Sequence, residues 1–309
     1  MFRIRTIGAA ITGIGLALSL AACGADSDPL AGDTKGSGSA AAVTVGSANF
    51  AESELLAEIY SQALEAKGVT VKRQFNIGAR ELYLKALQDK SIDLLPEYNG
   101  ALLAALSTGG VPENISSPTD VLAALKKVLP AGTEVLEQSA AEDKDTLTVT
   151  KATADKYKLT SIEDLKAAAP TLKVGAGPEF QERHQGLKGL ESVYGVKFKE
   201  FKALDAGGPL TMKALVDGDI DVGNIFSTDS GIATNKLVVL QDPKNLYTSQ
   251  NVIPLIRTEA KTDAVSGALN AVSAKLTTEN LTTYLAKIQV DKQDSATVAK
   301  AFLKDNGLA

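Results

Sequence analysis

From Val43 onward, short apolar runs alternate with longer stretches in which apolar residues recur every three or four positions. That alternation predicts an α/β fold. Val43 to Gly46 predicts a strand. Leu55, Leu56, Ile59, Tyr60, Ala63 and Leu64 then fall on one face of a helix, which Lys67 and Gly68 end. Val69, Val71, Arg73 and Phe75 alternate as a second strand, and Glu81 to Asp89 predicts the next helix. Ser91 to Gly100 is the stretch around which the rest is organised. It predicts a buried strand that stops at Pro96, then a polar loop with Tyr98 and Asn99, then a helix opening near Gly100. Thr119 to Leu129 predicts a helix stopped by Pro130, and Glu134 to Glu137 a further strand.

The pattern then recurs. Leu172 to Gly175 repeats the opening strand, Pro209 to Asp217 a helix, and Asp219 to Gly231 the organising stretch, with Phe226 standing where Tyr98 stood. Thr160 and Glu163 read as a capping box for a helix running to Pro170. Leu237 to Leu240 and Val252 to Arg257 predict strands, and helices near Asp263–Lys275, Glu279–Gln289 and Ser295–Asn306 close the chain. A duplication at such long spacing is not a solenoid. It predicts two similar α/β lobes: lobe I from residues 43–145 plus 251–309, and lobe II from residues 146–250. The chain crosses between them near Thr146–Thr150 and Gln250–Pro254, which makes a hinge. Ligands of α/β sheets bind at the carboxyl ends of strands, so two such ends facing each other predict a ligand cleft between the lobes.

Residues before Val43 lack this periodicity. Arg3 and Arg5 precede an apolar run from Ile7 to Leu20, which has signal-peptide length and is short for a membrane span. Leu20 to Cys23 resembles a bacterial lipobox, so residues 1–22 are expected to be a signal peptide and Cys23 the lipidated first residue. The Gly-, Ser- and Ala-rich residues 23–42 are expected to be a flexible tether. Localisation on the extracytoplasmic face of a membrane follows. Without Arg3 and Arg5 the balance is 30 basic against 37 acidic residues, a charge of −7, so the lipid rather than a basic patch is the expected anchor.

Composition narrows the chemistry. The 309-residue chain has a formal charge of −5, which argues against a nucleic-acid partner. Cys23 is its only cysteine and His184 its only histidine, leaving no pair for a disulfide or for a thiol- or His-rich metal site, and His184 alone for a Ser-His-Asp triad. His184 reads as a surface helix residue, and Glu142 with Asp143 as a solvated loop. No phosphate-binding Gly motif sits between a strand and a helix. The expectation is a protein without enzymatic activity, cofactor or metal.

The strand-end loops carry what is left. Ser47 and Asn49 precede a helix, where they either cap it or help hold a carboxylate. Arg80 follows a loop Gly and either grips an anion or pairs with Glu81 or Asp93. Tyr98 offers a ring face of the kind that holds quaternary ammonium groups, or packs the strand end. Thr228 and Asp229 cap the helix after Phe226, or Asp229 bridges the lobes when they close.

Taken together, residues 45–52, 78–82, 92–100, 179–183 and 226–229 resemble the substrate-binding proteins of osmoprotectant ABC importers, which take glycine betaine, choline, carnitine and relatives. The resemblance runs in register from about Val43 to the C-terminus. It implies a two-lobed periplasmic-binding-protein fold of type II. It also implies a monomeric lipoprotein that captures a small solute and delivers it to an ABC permease and its ATPase. The ligand set this implies is Ser47, Asn49, Arg80, Tyr98 and Asn99 from one lobe, Phe226, Thr228 and Asp229 from the other, and Asn251 near the hinge. Tyr98 and Phe226 are expected to meet across the cleft. Phe226, Met212 and Gln250 stand where the family often has Tyr, which thins the aromatic cage. The alternatives are a non-quaternary polar or aromatic ligand in the same transport role, a ligand-sensing lipoprotein, and an enzyme on a similar fold.

Overall fold

The computed structural model describes residues 42–112 and 115–309. The expected signal segment, the lipidation position Cys23 and the tether up to residue 41 lie outside the described residues.

The described strands are β1 (Val43–Gly46), β2 (Val71–Gln74), β3 (Leu94–Tyr98), β4 (Thr133–Val135), β5 (Asp145–Val149), β6 (Lys173–Ala176), β7 (Glu200–Ala203), β8 (Val222–Phe226), β9 (Val238–Val239) and β10 (Val252–Arg257). They form two five-stranded sheets, ordered β2-β1-β3-β10-β4 and β7-β6-β8-β5-β9. The two sheets share one plan. β1 runs parallel to β2 and β3, as β6 does to β7 and β8. The fourth strand, β10 or β5, is antiparallel to its neighbours. In each sheet that antiparallel strand follows a crossing segment. The crossing segments are hydrogen-bonded to each other: the Asp143 N–H donates to the Gln250 carbonyl at 3.2 Å, and the Asp145 N–H to Gln250 Oε1 at 2.7 Å.

The duplicated sequence has a duplicated structural cause. Asp93 and Asp221, just before β3 and β8, each accept from a neighbouring strand's N–H at 2.8 Å, Thr44 in one case and Lys173 in the other. Gly46 and Gly175 are equivalent too. A Cβ there would lie 2.7 Å from Ile92 and 2.6 Å from Ile220, so each Gly admits the isoleucine that opens the next central strand.

Each sheet has its own core. Helix Ala51–Glu65 buries the six apolar positions expected of it, against β1, β3 and the helices Asp263–Ser273 and Ser295–Asp305. At about 1.5–3 kcal/mol for each large apolar side chain buried, this face anchors the first sheet. Tyr83, Leu87, Ile92 and Leu102 fill that sheet's other side. Leu147, Val149, Leu165, Val174 and Val222 centre the second sheet's core.

Two expectations need correction. The organising strand does not stop at Pro96; β3 runs through it to Tyr98. Pro96 faces Pro254 on β10. The Arg257 N–H donates to the Asp93 carbonyl and the Asn99 N–H to the Asn251 carbonyl. Bonded pairs alternate along an antiparallel ladder, so the two prolines meet at a position where neither strand needs an N–H. The capping box is also displaced by one residue. Ser161 and Asp164 form it, and it opens a short 3₁₀ turn, Ile162–Asp164, in place of one helix to Pro170.

Candidate functional site

The carboxyl ends of β1 and β3 face those of β6 and β8 across a cleft. Asn49, Phe50, Arg80, Tyr83 and Tyr98 line one side, and Glu179, Arg183, Gln185, Asn224 and Phe226 the other. Asp143, Asp145 and Gln250, from the crossing segments, also line it. The space open to the centres of water molecules is about 60 Å³. One buried water needs about 10–15 Å³ by that measure, so the cleft has room for a few waters or one small solute.

Aromatic rings dominate its wall. Phe50 stacks on Tyr98 at 6.2 Å and 29°, and leans on Phe226 at 5.1 Å and 53°. Tyr98 and Phe226 do end equivalent strands, but Phe50 is interleaved between them. Phe50 is the residue at which the chain enters helix Ala51–Glu65.

Beneath the rings lies a buried carboxyl pair. Glu52, in the first turn of that helix, accepts from the Tyr98 hydroxyl at 2.7 Å and from the Thr228 hydroxyl at 2.5 Å. Asp143 accepts from the Thr228 N–H at 3.0 Å. Burial raises the Glu52 pKa, opposed by those hydroxyls and by Asp143. Burial, and after it the charge of Glu52, holds Asp143 well above the carboxylate range. The pair therefore retains a proton when ordinary carboxyls have lost theirs. The expectation that Asp143 lies in a solvated loop is overturned: it is 4 % exposed.

Arg80 takes neither partner expected for it. Its Nε and Nη2 donate to the two oxygens of Glu97 at 2.7 and 3.1 Å, and Tyr83 donates to the same carboxylate at 2.6 Å. Burial opposes its charge, but Glu97 outweighs that and raises the Arg80 pKa. Among the described residues its Nη1 has no hydrogen-bond partner. Arg183 reaches across to Glu81 with bonds of 3.0 and 2.9 Å. Asp145 accepts from Asn224 at 3.1 Å and from Gln250 at 3.3 Å.

Of the residues singled out in the sequence, Asn49, Arg80, Tyr98 and Phe226 come together on this cleft. Thr228 and Asp229 line an adjoining cavity instead. Asp229 caps helix Ser230–Thr234 through the Gly231 N–H and accepts from Gln289 at 2.9 Å. Ser47, Asn99 and Asn251 line neither space. The Ser47 hydroxyl accepts from the Asn76 N–H and donates to the Ala48 carbonyl. Asn99 Oδ1 accepts from the Asn251 and Gly100 N–H groups. Asn251 Nδ2 donates to the Ser139 carbonyl. Neither Ser47 nor Asn49 caps helix Ala51–Glu65, which has no side-chain cap. His184 is not a free surface residue either, since its ring packs against Gly110. Sequence reasoning missed Tyr83, Asp143, Asp145, Gln185 and Asn224. For Asp143 and Asp145 the available signal was their place beside an expected crossing, since crossing segments run along the cleft.

Among the described residues no helix is long and apolar enough to cross a membrane, and no cluster of acidic, His or Cys side chains is arranged to hold a metal. The family of substrate binding domains of ABC-type glycine betaine transport systems matches residues 41–305. The glycine betaine-binding protein YehZ of Escherichia coli is 29% identical over 285 residues, covering 87% of this chain and 92% of that protein. The ergothioneine transport permease/ergothioneine binding protein EgtU of Helicobacter pylori is 27% identical over 262 residues, covering 83% of this chain and 46% of that longer protein. A glycine betaine/carnitine/choline ABC transporter crystal structure superposes with a TM-score of 0.66 at 22% identity, covering 86% of this chain and 99% of that one.

Proposed function

The chain belongs to the family of substrate-binding domains of ABC-type glycine betaine transport systems, and from that premise we propose that its solute is a zwitterionic betaine. As in the rest of that family, its role is extracytoplasmic capture of a small solute for an ABC importer. The observation that carries the proposal is the joint presence on one cleft of three aromatic rings, buried carboxyl groups and a guanidinium with an unused N–H. A trimethylammonium group has no hydrogen to donate, so ring faces and nearby carboxylates are what can hold it. Phe50, Tyr98 and Phe226 supply the faces, and Asp145 lines the same cleft. Arg80 Nη1 serves the solute's carboxylate, and Asn49 adds an amide.

In this reading residues 43–145 with 251–309 form one lobe and residues 146–250 the other, closing about the paired crossing segments. Thr228 on Glu52 and Asp229 on Gln289 are the closing contacts, while Ser47, Asn99 and Asn251 hold the loops that shape the walls. Lipidation at Cys23 tethers a monomeric body to the membrane beside its permease and ATPase, with no catalytic step of its own.

Titration calorimetry with glycine betaine, carnitine and choline tests the ligand class. Solutes bearing a carboxylate are expected to bind more tightly than choline, which lacks one. Choline binding as tightly as glycine betaine refutes the role given to Arg80. A solute at about 100 times its dissociation constant should also add about 2.7 kcal/mol to folding stability.

A further inference from the structure

A second cavity lies behind Phe50 and Phe226. It shares Asn49, Phe50, Ala206 and Phe226 with the cleft, so one layer of side chains separates the two spaces. Its free volume is about 440 Å³, against about 60 Å³ for the cleft on the same measure. Met212, from helix Pro209–Val216, forms one wall. Leu285, Ile288 and Val290, at the end of helix Thr278–Gln289, form the opposite one.

Most polar groups around this chamber are already committed, Asn49 at the border with the cleft being the exception. Asp205 accepts from the N–H groups of Leu210 and Thr211. Asp229 accepts from the Gly231 N–H and Gln289. Glu52 accepts from Tyr98 and Thr228, and Lys292 Nζ donates to the Gln289 carbonyl. What such a space offers an incoming group is apolar and aromatic surface. Met212 adds a thioether that adapts to irregular shapes and favours contact with rings.

We infer that this chamber is a second subsite of the solute site, taking an apolar or aromatic substituent of a betaine whose charged head occupies the cleft. The inference rests on the betaine reading above and narrows it. The cleft alone holds little more than the head, so a side chain on the solute has to leave it. Crossing the Phe50–Phe226 layer leads into a space of ligand size whose far walls are apolar side chains.

The experiment compares glycine betaine with phenylalanine betaine, its N-trimethyl analogue carrying a benzyl side chain, by calorimetry on the unmodified protein. Burying a benzyl group is expected to favour phenylalanine betaine by about tenfold to a hundredfold. Met212→Trp and Ile288→Trp fill the chamber from opposite walls, and each is expected to bring that ratio down toward one. Glycine betaine titrated into both variants reports that they are folded. Equal affinities for the two solutes in the unmodified protein overturn the second subsite and leave the betaine reading standing. A preference that survives in both Trp variants overturns it too. Failure of phenylalanine betaine alone to bind also overturns the subsite only, while failure of both betaines overturns both readings.

Discussion

Glu52→Gln changes one atom type at the contact that joins the two sheet units, and its effect can be worked out in advance. The pKa values of Glu52 and Asp143 both lie above their ordinary values of 4.5 and 3.8. The folded chain therefore keeps a proton that the unfolded chain has released. That contribution to stability is fully present below the ordinary values and is lost as pH rises through the raised ones. For a single proton the loss approaches about 1.4 kcal/mol per pH unit. Gln imitates the protonated carboxyl permanently and relieves Asp143 of a like charge. Thermal unfolding of the ligand-free protein, followed from about pH 5 to pH 8.5, should show the wild type losing stability relative to the variant. A gap that widens with rising pH, by at most about 1.4 kcal/mol per unit and read as a shift in Tm, is expected at the alkaline end. Burial lowers the His184 pKa below 6.5, a contribution gained as pH rises, but it acts equally on both proteins and cancels from the difference. Parallel curves for the two proteins would show that the pair holds no shared proton and would refute the reasoning.

Two further outcomes follow from the same contacts and from the N-terminal motif. Tyr98→Phe removes the donor to Glu52 Oε1 and should weaken betaine binding by about 1–3 kcal/mol, while Tyr98→Ala also loses the ring face, about 0.5–2 kcal/mol more. Calorimetry on both variants checks this, and unchanged affinities would reduce Tyr98 to a packing residue. Cys23→Ser should release the protein from membranes with its body still folded; a variant that stays in the detergent phase would remove the lipid anchor from the reading.

Much of the fold was legible because its determinants are local and occur twice. The Ile-Asp pair before each central strand names a packing partner for a glycine and an acceptor for a neighbouring strand, and those contacts exist at both Asp93 and Asp221. The helix faces followed from spacing alone. Pro96 misled because a proline inside a strand reads as a stop. The sequence cannot say that the strand beside it carries Pro254 at the opposite position, since that pairing joins segments far apart in the chain.

The site was legible in its walls but not in its base, and the reason is again distance along the chain. Tyr98 and Phe226 announce themselves as aromatics at equivalent strand ends. Phe50 and Glu52 sit in view within the resemblance, yet their roles depend on what the other half of the chain brings. Thr228 meets Glu52 across 176 positions, and its N–H meets Asp143 across 85. A carboxyl such as Asp143, flanked by Glu142 and Lys144, has the local signature of a solvated loop. It is buried because the crossing segment that carries it is pinned to Gln250 by the Asp143 and Asp145 N–H groups and covered by Thr228. In the proposed reading the same arrangement links recognition to closure. The carboxyl pair beside the aromatic wall takes its hydrogen bonds from Tyr98 on the first sheet and Thr228 beyond the second. A solute that orders the rings therefore also bears on the contact that holds the halves together.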